Sequence, residues 1–526
     1  MPGTFTSGLH SSVARSTPVI VGVGQWTRRP DKDVMPSEPA AMMAESLRRA
    51  ADDTGGDPNR ILREATGLWT VETASWQYRN APSAVSEALG IAPPRHLVTS
   101  TTGGEQPQAL VNRAALAIAA GDHDIVLIAG GEAFRSIRSA GTAGIELPWT
   151  EQSSSVRVAE THPDPRPEAS HPCELAAGAV LPTDYYPLFE NALRGASGRT
   201  IAEHQSTLGA LWHNFSSVAQ SNPHAWNAID ANARQIATVG ADNRMISFPY
   251  TKLLNSNIWV DMAAAIVVCS VDKARSLGIP ADRWVFPLAS AESHDHWFVT
   301  ERDQLHRSDA IGLNGREALA SASIDIDDVS YIDLYSCFPS AVQIAANALG
   351  LPVLDPDRPL TVTGGLTFGG GPGNNYGTHS LATMTETLRK DPGAMGLMTS
   401  TGMFLTKHAV ALYSTTPPRE QFRVTSPQQA VDACPRRVPA ENHSGTVHLE
   451  TYTVRHDQRG LPERAIIVGL TADGARTWSR SSDQDLMAAL ETEDLLGSSV
   501  RLSHGRVTEI SDQVEETISM SRKGLR

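Results

Sequence analysis

Residues able to do chemistry gather at three places in this chain. At Thr101, Thr102, Gly103, Gly104 and Glu105, two hydroxyls and a carboxylate flank a glycine turn at the head of an apolar helix pattern. At Tyr335, Ser336, Cys337 and Phe338, a phenol, a hydroxyl and a thiol adjoin another strand-to-helix junction. At Gly370, Gly371 and Pro372, a second glycine turn precedes a helix that carries His379. A glycine turn between strand and helix leaves backbone N–H groups and the positive end of the helix dipole facing outward, a setting suited to an anion or a developing oxyanion. A tyrosine hydroxyl can donate to a carbonyl oxygen or exchange a proton. A threonine hydroxyl needs a base to become a nucleophile, and none lies nearby in the sequence.

The elements that must position these groups look duplicated. Residues 97 to 132 and 360 to 404 each run from an extended segment through a glycine-rich turn into a helix and on to a short apolar strand. Two such units facing each other would enclose one pocket. Strands at 18–24 and 67–74, with a helix from Pro39 to Asp53, complete a first α/β half; 262–280, 284–293 and 331–351 supply strands and helices of a second. Between them, 141–244 reads as an inserted loop domain, with a capping box predicted where Glu203 follows Thr200 by three. Residues 1–16 read as a disordered tail. After residue 421, period-two alternation, a DG turn and a short helix from Gln484 to Glu493 predict a small β-barrel of the OB type. Its obvious aromatics are Tyr452 and Trp478, and acids are interleaved with its arginines, so a packing or docking module is favoured over single-strand binding.

Composition narrows the function further. The 526 residues suffice for two to four domains. A net charge of −14 argues against broad binding to nucleic acid or anionic membrane, while leaving room for a small anion in a local basic pocket. Cys173, Cys269, Cys337 and Cys434 show no metal-ligand spacing and the histidines no paired motif, so no metal is expected. With no apolar core of a signal peptide and no apolar run long enough to span a bilayer, a cytoplasmic location is expected.

Four segments, GGEQPQALVNRAALAIAAGDHDIVLIAGGEA, DMAAAIVVCSVDKARSLGI, DLYSCFPSAVQIAANALGL and GGLTFGGGPGNNYGTH, in this order and spacing resemble the thiolase superfamily over residues 17–415. The added C-terminal part makes the chain most similar to thiolase-like proteins with an extra C-terminal domain. The resemblance implies an α/β fold with a five-layer αβαβα core of two similar halves: 17–140 with 245–275, and 276–415. It also implies the inserted loop domain at 141–244 and a pocket for an acyl-CoA, with the OB-like domain at 422–510. No permanently bound cofactor is implied, only a coenzyme A thioester as substrate or ligand, in a homodimer or a monomer.

The chemistry departs from that pattern. The family places a cysteine nucleophile at the start of the first unit's helix, where this chain has residues 101–105 and no thiol. The GHP histidine falls on Gly371, before Pro372, leaving His379 to fill in. The CxG cysteine falls in Thr399–Gly402, again without a thiol. Where the family has Asn or His in its NEAF or HDCF motif, this chain has Tyr335; Cys337 beside it reads as a small core residue. Asn255, Ser256 and Asn257 match the loop that touches the pantetheine arm.

The expected catalytic set is Tyr335, His379, Thr102 and Glu105, with Gly103, Gly104, Asn257, Gly370, Gly371 and Pro372 binding the ligand. One reading is an acyltransferase of the acetyl-CoA acetyltransferase type, or a related aldolase-like lyase, that works on a CoA thioester without sulfur. The other is a catalytically degenerate thiolase-like protein that binds CoA derivatives or a partner. A third is single-strand nucleic-acid binding through the barrel.

Overall fold

Side chains alternate between two cores along the central strands. In Pro18–Thr27, Val19 and Val21 enter one apolar cluster while Ile20 and Val23 enter another; in Ile125–Ala133, Ile125 and Leu127 oppose Val126 and Ile128 in the same way. Strands buried on both faces need a helix layer on each side. The computed structural model, which describes residues 13–28, 37–92, 94–162 and 168–511, supplies those layers. Of the expected N-terminal tail, residues 1–12 lie outside the described residues.

The first sheet runs Pro18–Thr27, Asp261–Ser270, Ile125–Ala133, Gly67–Thr70, His96–Thr99 and Glu160–Thr161 in spatial order; Asp261–Ser270 is antiparallel to its two neighbours and the last three run parallel to Ile125–Ala133. The second runs Tyr331–Asp333, Met395–Gly402, Lys407–Ser414, Phe286–His294 and Val424–Thr425. Between the sheets lie the helices Gln106–Ala120 and Tyr376–Lys390. Their Leu110, Ala114 and Ile118, and Leu381, Met384 and Leu388, close a common core with the inner faces of both sheets. Pro39–Asp53 covers the outer face of the first sheet and Asp309–Ala322 that of the second, with Pro339–Leu349 alongside. The expected five-layer core of two similar halves is present.

The two units differ at one point. In the first, the extended segment is a sheet strand, His96–Thr99. In the second, Thr361–Thr363 form no strand and hang instead from the side chain of Asp333, at the end of Tyr331–Asp333, which pairs with Met395–Gly402 as Gly67–Thr70 pairs with Ile125–Ala133. The insertion contains the long helices Pro182–Ser197 and Ile201–Ser221. The Thr200 capping box forms there, with Thr200 Oγ1 accepting from the Glu203 N–H at 3.3 Å and Glu203 accepting from the Thr200 N–H at 3.0 Å.

The C-terminal strands Gly445–His456, Pro462–Leu470, Arg476–Ser481, Ser499–Ser503 and Arg506–Ser511 close a ring in the order first, second, third, fifth, fourth, first. The third and fifth run parallel and the helix Gln484–Thr492 lies between third and fourth, as an OB-like barrel requires. Two short segments cross the sequence-based boundaries. Met245–Ser247 and Tyr250–Thr251 form a hairpin that pairs with the barrel through Ser247 and Arg455, and Val424–Thr425 joins the core sheet beside Ser290 and Ala291. Both cover sheet edges that would otherwise expose unpaired backbone groups. Among the described residues no helix is long and apolar enough to cross a membrane.

One side chain fastens the barrel to the core. Arg476, wholly buried, grips Glu450 with two bonds of 2.6 Å and donates to the carbonyls of Val299, Thr300, Arg302 and Asp303. Removing the guanidinium strands a half-buried carboxylate and four carbonyls together. Arg476→Ala is expected to lower the unfolding free energy by about 3–5 kcal/mol, read from the urea midpoint, because breaking a buried pair leaves an uncompensated charge.

Candidate functional site

The second glycine turn is built around a buried carboxylate. Asp333, fully buried at the end of Tyr331–Asp333, accepts hydrogen bonds from the hydroxyls of Thr361, Tyr376 and Ser380 and from the Val362 N–H, at 2.8 to 3.0 Å. The Thr363 hydroxyl is a longer partner at 3.4 Å. Burial raises the carboxyl pKa and these donors oppose the rise. The threonines it orients then cap the turn. Thr361 Oγ1 accepts from the N–H groups of Thr363 and Gly364, Thr363 Oγ1 from that of Gly365, and Ser336 Oγ from that of Leu366. The Gly371 N–H donates to the Asn257 carbonyl at 2.9 Å.

The N–H groups of residues 363–366 are thus turned onto neighbouring hydroxyls, and that of Gly371, expected in the anion cradle, onto a main-chain carbonyl. Sequence could not reveal this, because the acceptors are hydroxyls oriented by an aspartate 28 to 30 positions away.

The first turn meets the second. Gly103, at φ +148°, donates its N–H to Asn374 Oδ1 at 3.0 Å, and Asn374 Nδ2 donates to the Glu72 carbonyl. Gly104 faces Tyr335 so closely that a Cβ there would lie 2.1 Å from the phenol oxygen and 2.5 Å from the Thr401 carbonyl. Glycine is therefore required at 104 with Tyr335 in place. Tyr335 is buried, packs edge-on against Tyr376 at 5.5 Å, and its hydroxyl makes no hydrogen bond to a described residue. Burial pushes its pKa well above the ordinary tyrosine range, with Cys337 and Glu105 adding to the rise. At neutral pH it is a proton-bearing donor.

Glu105 turns back beside the same junction. Its Oε1 pairs with Lys407 Nζ at 2.6 Å and accepts from Gln106, while Oε2 is buried without a partner, between Gly103 and Gly402. Lys407 also donates to the Thr102 carbonyl at 2.9 Å. The pair borders an open cavity of about 350 Å³ whose lining includes Glu292, His162, His294 and His408, and burial raises the Glu292 pKa. Thr102 itself is exposed, its hydroxyl spent on Glu72 at 2.9 Å.

His379 sits elsewhere on the second helix. Its Nδ1 donates to Gln25 Oε1 at 2.8 Å, and its Nε2 is buried without a partner. Gly370, Tyr376, His224 and Gln25 share with it a cavity of about 10 Å³, space for one water and too small for a thioester. Asn257 is half-buried, its main chain stitched to Leu366 and Gly371. Cys337 is buried, its thiol pushed up to about 12 by that burial.

The structure therefore brings Thr102, Gly103, Gly104, Glu105 and Tyr335 to one junction, joined to the second turn by Asn374, and sets His379 in a closed pocket behind Tyr376. Sequence reasoning missed Asp333, Asn374, Lys407 and Gln25. An acid two residues before Tyr335 at the end of an apolar strand, and a lysine opening another, were the available signals. Among the described residues no cluster of His, Cys, Asp or Glu could hold a metal ion.

Two matched halves sharing a central helix layer, with a separate barrel, define a thiolase-like protein. Residues 427–505 match the model of the thiolase-like protein type 1 additional C-terminal domain. No curated protein matches the sequence. Among solved structures, a monomeric SCP2-thiolase-like protein type 1 from Mycobacterium smegmatis is 31% identical, with a TM-score of 0.81 over 94% of this chain and 99% of that one. The chain belongs to the SCP2-thiolase-like protein type 1 family. The fold is also shared with an Ltp2-ChsH2(DUF35) aldolase, at 18% identity and TM-score 0.57 over 77% of this chain and 99% of that one. An acetyl-CoA acetyltransferase from Syntrophomonas wolfei shares it at 14% identity and TM-score 0.52, over 76% and 99%.

The His379 pocket carries a pH signature. Burial, with His224 nearby, depresses its pKa to about 3, so the imidazole is neutral in the folded protein while the unfolded chain binds a proton below pH 6.5. Its contribution is whole above pH 6.5 and is lost as pH falls toward 3, a penalty of about 2 kcal/mol already at pH 5. Melting temperatures of His379→Gln are expected to fall less than those of the parent between pH 7 and pH 5.

Proposed function

We propose that this chain is a catalytically degenerate thiolase-like protein, which keeps the fold for binding and does not pass an acyl group through sulfur. The observation that supports this is the occupancy of the junction. Where the family pattern calls for a nucleophile, Gly104 lies under the Tyr335 hydroxyl, and the Gly103 N–H is bonded to Asn374. Cys337, the cysteine nearest in sequence to Tyr335, has its thiol protonated at any ordinary pH. The ligand class this reading assigns is a CoA thioester, because the fold is shared with an acetyl-CoA acetyltransferase. It acts in the cytoplasm, as a monomer like its Mycobacterium smegmatis relative.

A second reading keeps some chemistry. Buried polar atoms without partners are uncommon and collect at functional sites; Glu105 Oε2 is one, set against Gly103 and Gly402, and the Tyr335 hydroxyl lies next to it over Gly104. Such a pair could donate to and withdraw a proton from a carbonyl compound in a carbon–carbon bond step.

One assay separates the two. Millimolar acetyl-CoA is expected to raise the melting temperature by linkage, while acetoacetyl-CoA with free CoA yields no more acetyl-CoA than the protein-free blank. Cleavage above blank that Tyr335→Phe abolishes would favour the second reading. Cleavage that survives the substitution would contradict the degenerate reading and remove the tyrosine from the second, and absence of any melting shift would remove the CoA thioester as ligand.

A further inference from the structure

A large groove lies away from the glycine turns, on the C-terminal barrel. It encloses about 1040 Å³ between the short helix Pro172–Ala176 and the barrel strands Arg476–Ser481 and Arg506–Ser511. That is the volume of a cofactor-sized ligand rather than of a single ion. Trp478 and Ser479 line it, and Arg464, Arg480 and Arg506 approach it.

Two of those arginines have no charge partner among the described residues. Arg480 and Arg506 stand directly opposite each other on paired parallel strands, both exposed, and neither side chain has an ion pair or a hydrogen bond to a described residue. Like charges at facing strand positions are unfavourable unless something of opposite sign joins them. Elsewhere the protein is acidic, at −14 overall, so an unneutralised arginine pair is a local departure from its own surface. Carboxylates are also present in the lining: Asp483 caps its helix by accepting from the Leu486 N–H at 2.9 Å, and Glu441 has no ion pair among the described residues.

Other features point to a bound group. Arg464 donates to Asp184 at 3.0 Å, yet its Nε is buried without a partner. Trp478 is 5% exposed and its indole N–H likewise lacks one. Ser481 and Ser482, which follow Arg480, also line the groove, the Ser481 hydroxyl accepting from the Asp483 N–H. Guanidinium forks with adjacent hydroxyls recognise phosphate, with which arginine makes paired charge-assisted bonds.

We infer that this groove binds a phosphate-bearing small molecule, with Arg480 and Arg506 holding the phosphates. A nucleic-acid strand is disfavoured by the same geometry. Single-strand grooves need exposed aromatic platforms, and the two aromatics of the barrel strands are 5% and 0% exposed, at Trp478 and Tyr452.

The test is calorimetric titration of the full chain with ADP, with pyrophosphate and with a twelve-residue oligo-dT, at 0.05 and 0.15 M salt. ADP or pyrophosphate is expected to bind, and Arg480→Glu with Arg506→Glu to weaken it at least tenfold without changing the melting temperature of the free protein. Ser482→Glu, a separate exposed position, is expected to weaken it in the same direction. Failure of both phosphate probes to bind at millimolar concentration, or binding indifferent to all these substitutions, overturns the assignment. Oligo-dT binding tighter than ADP overturns the small-molecule part of it. Acetyl-CoA also carries phosphates, so its melting shift is measured in the arginine variant too. A shift that survives there belongs to the core and one that vanishes belongs to the groove, which keeps this inference separable from the thiolase-like reading.

Discussion

A carboxylate buried without a cation has to be surrounded by donors, and Asp333 meets that requirement with three hydroxyls from two segments of the chain, the Thr361 loop and the helix Tyr376–Lys390. Its position at the end of a core strand draws the second glycine turn against the sheet and aligns the helix Tyr376–Lys390 through Tyr376 and Ser380. The same strand end delivers Tyr335 two residues later. Because Thr361 and Thr363 are oriented by Asp333, their oxygens take up the turn's N–H groups. A turn whose donors are consumed by its own threonines is a structural corner, whatever its glycine content suggests.

The opposite turn obeys a steric rule of its own. Tyr335 and the Thr401 carbonyl press on Gly104 from one side, and Asn374 bonds to Gly103 from the other. The two units therefore converge, as two facing copies of one design should, but they converge on side chains. The meeting place remains polar. Thr101 Oγ1, Glu105 Oε2, Ser400 Oγ, Asn375 Nδ2 and His379 Nε2 are buried there or nearby without protein partners. That polarity distinguishes the junction from an ordinary apolar core and makes it the place where any residual chemistry would reside.

Much of the fold was legible, for reasons that are local. Alternation in Pro18–Thr27 and Ile125–Ala133 gave strands, Thr200 with Glu203 gave a helix start, and a DG turn between alternating runs gave barrel strands; each signal spans a few residues. The site was legible only as a set of residue types. That Gly104 excludes a Cβ follows from Tyr335, 231 positions along the chain, and Thr361 is an acceptor only because Asp333 holds it. Short pairings at Met245–Ser247 and Val424–Thr425 were unreadable for a similar reason, since two or three residues carry no period and their partners lie in other domains.

The barrel is more than an appendage. Arg476 reaches into the core, and Asn191 and Arg194 of the inserted helix reach back to Tyr452, so insertion, core and barrel form a continuous packed body. The most direct test of the closed junction is a crystal structure of the protein grown with acetyl-CoA. The Tyr335 hydroxyl should remain over Gly104, with Asn374 still bonded to Gly103 and no thioester between the turns. A thioester oxygen within hydrogen-bond distance of the Gly104 or Glu105 N–H, with Tyr335 swung aside, would contradict the account.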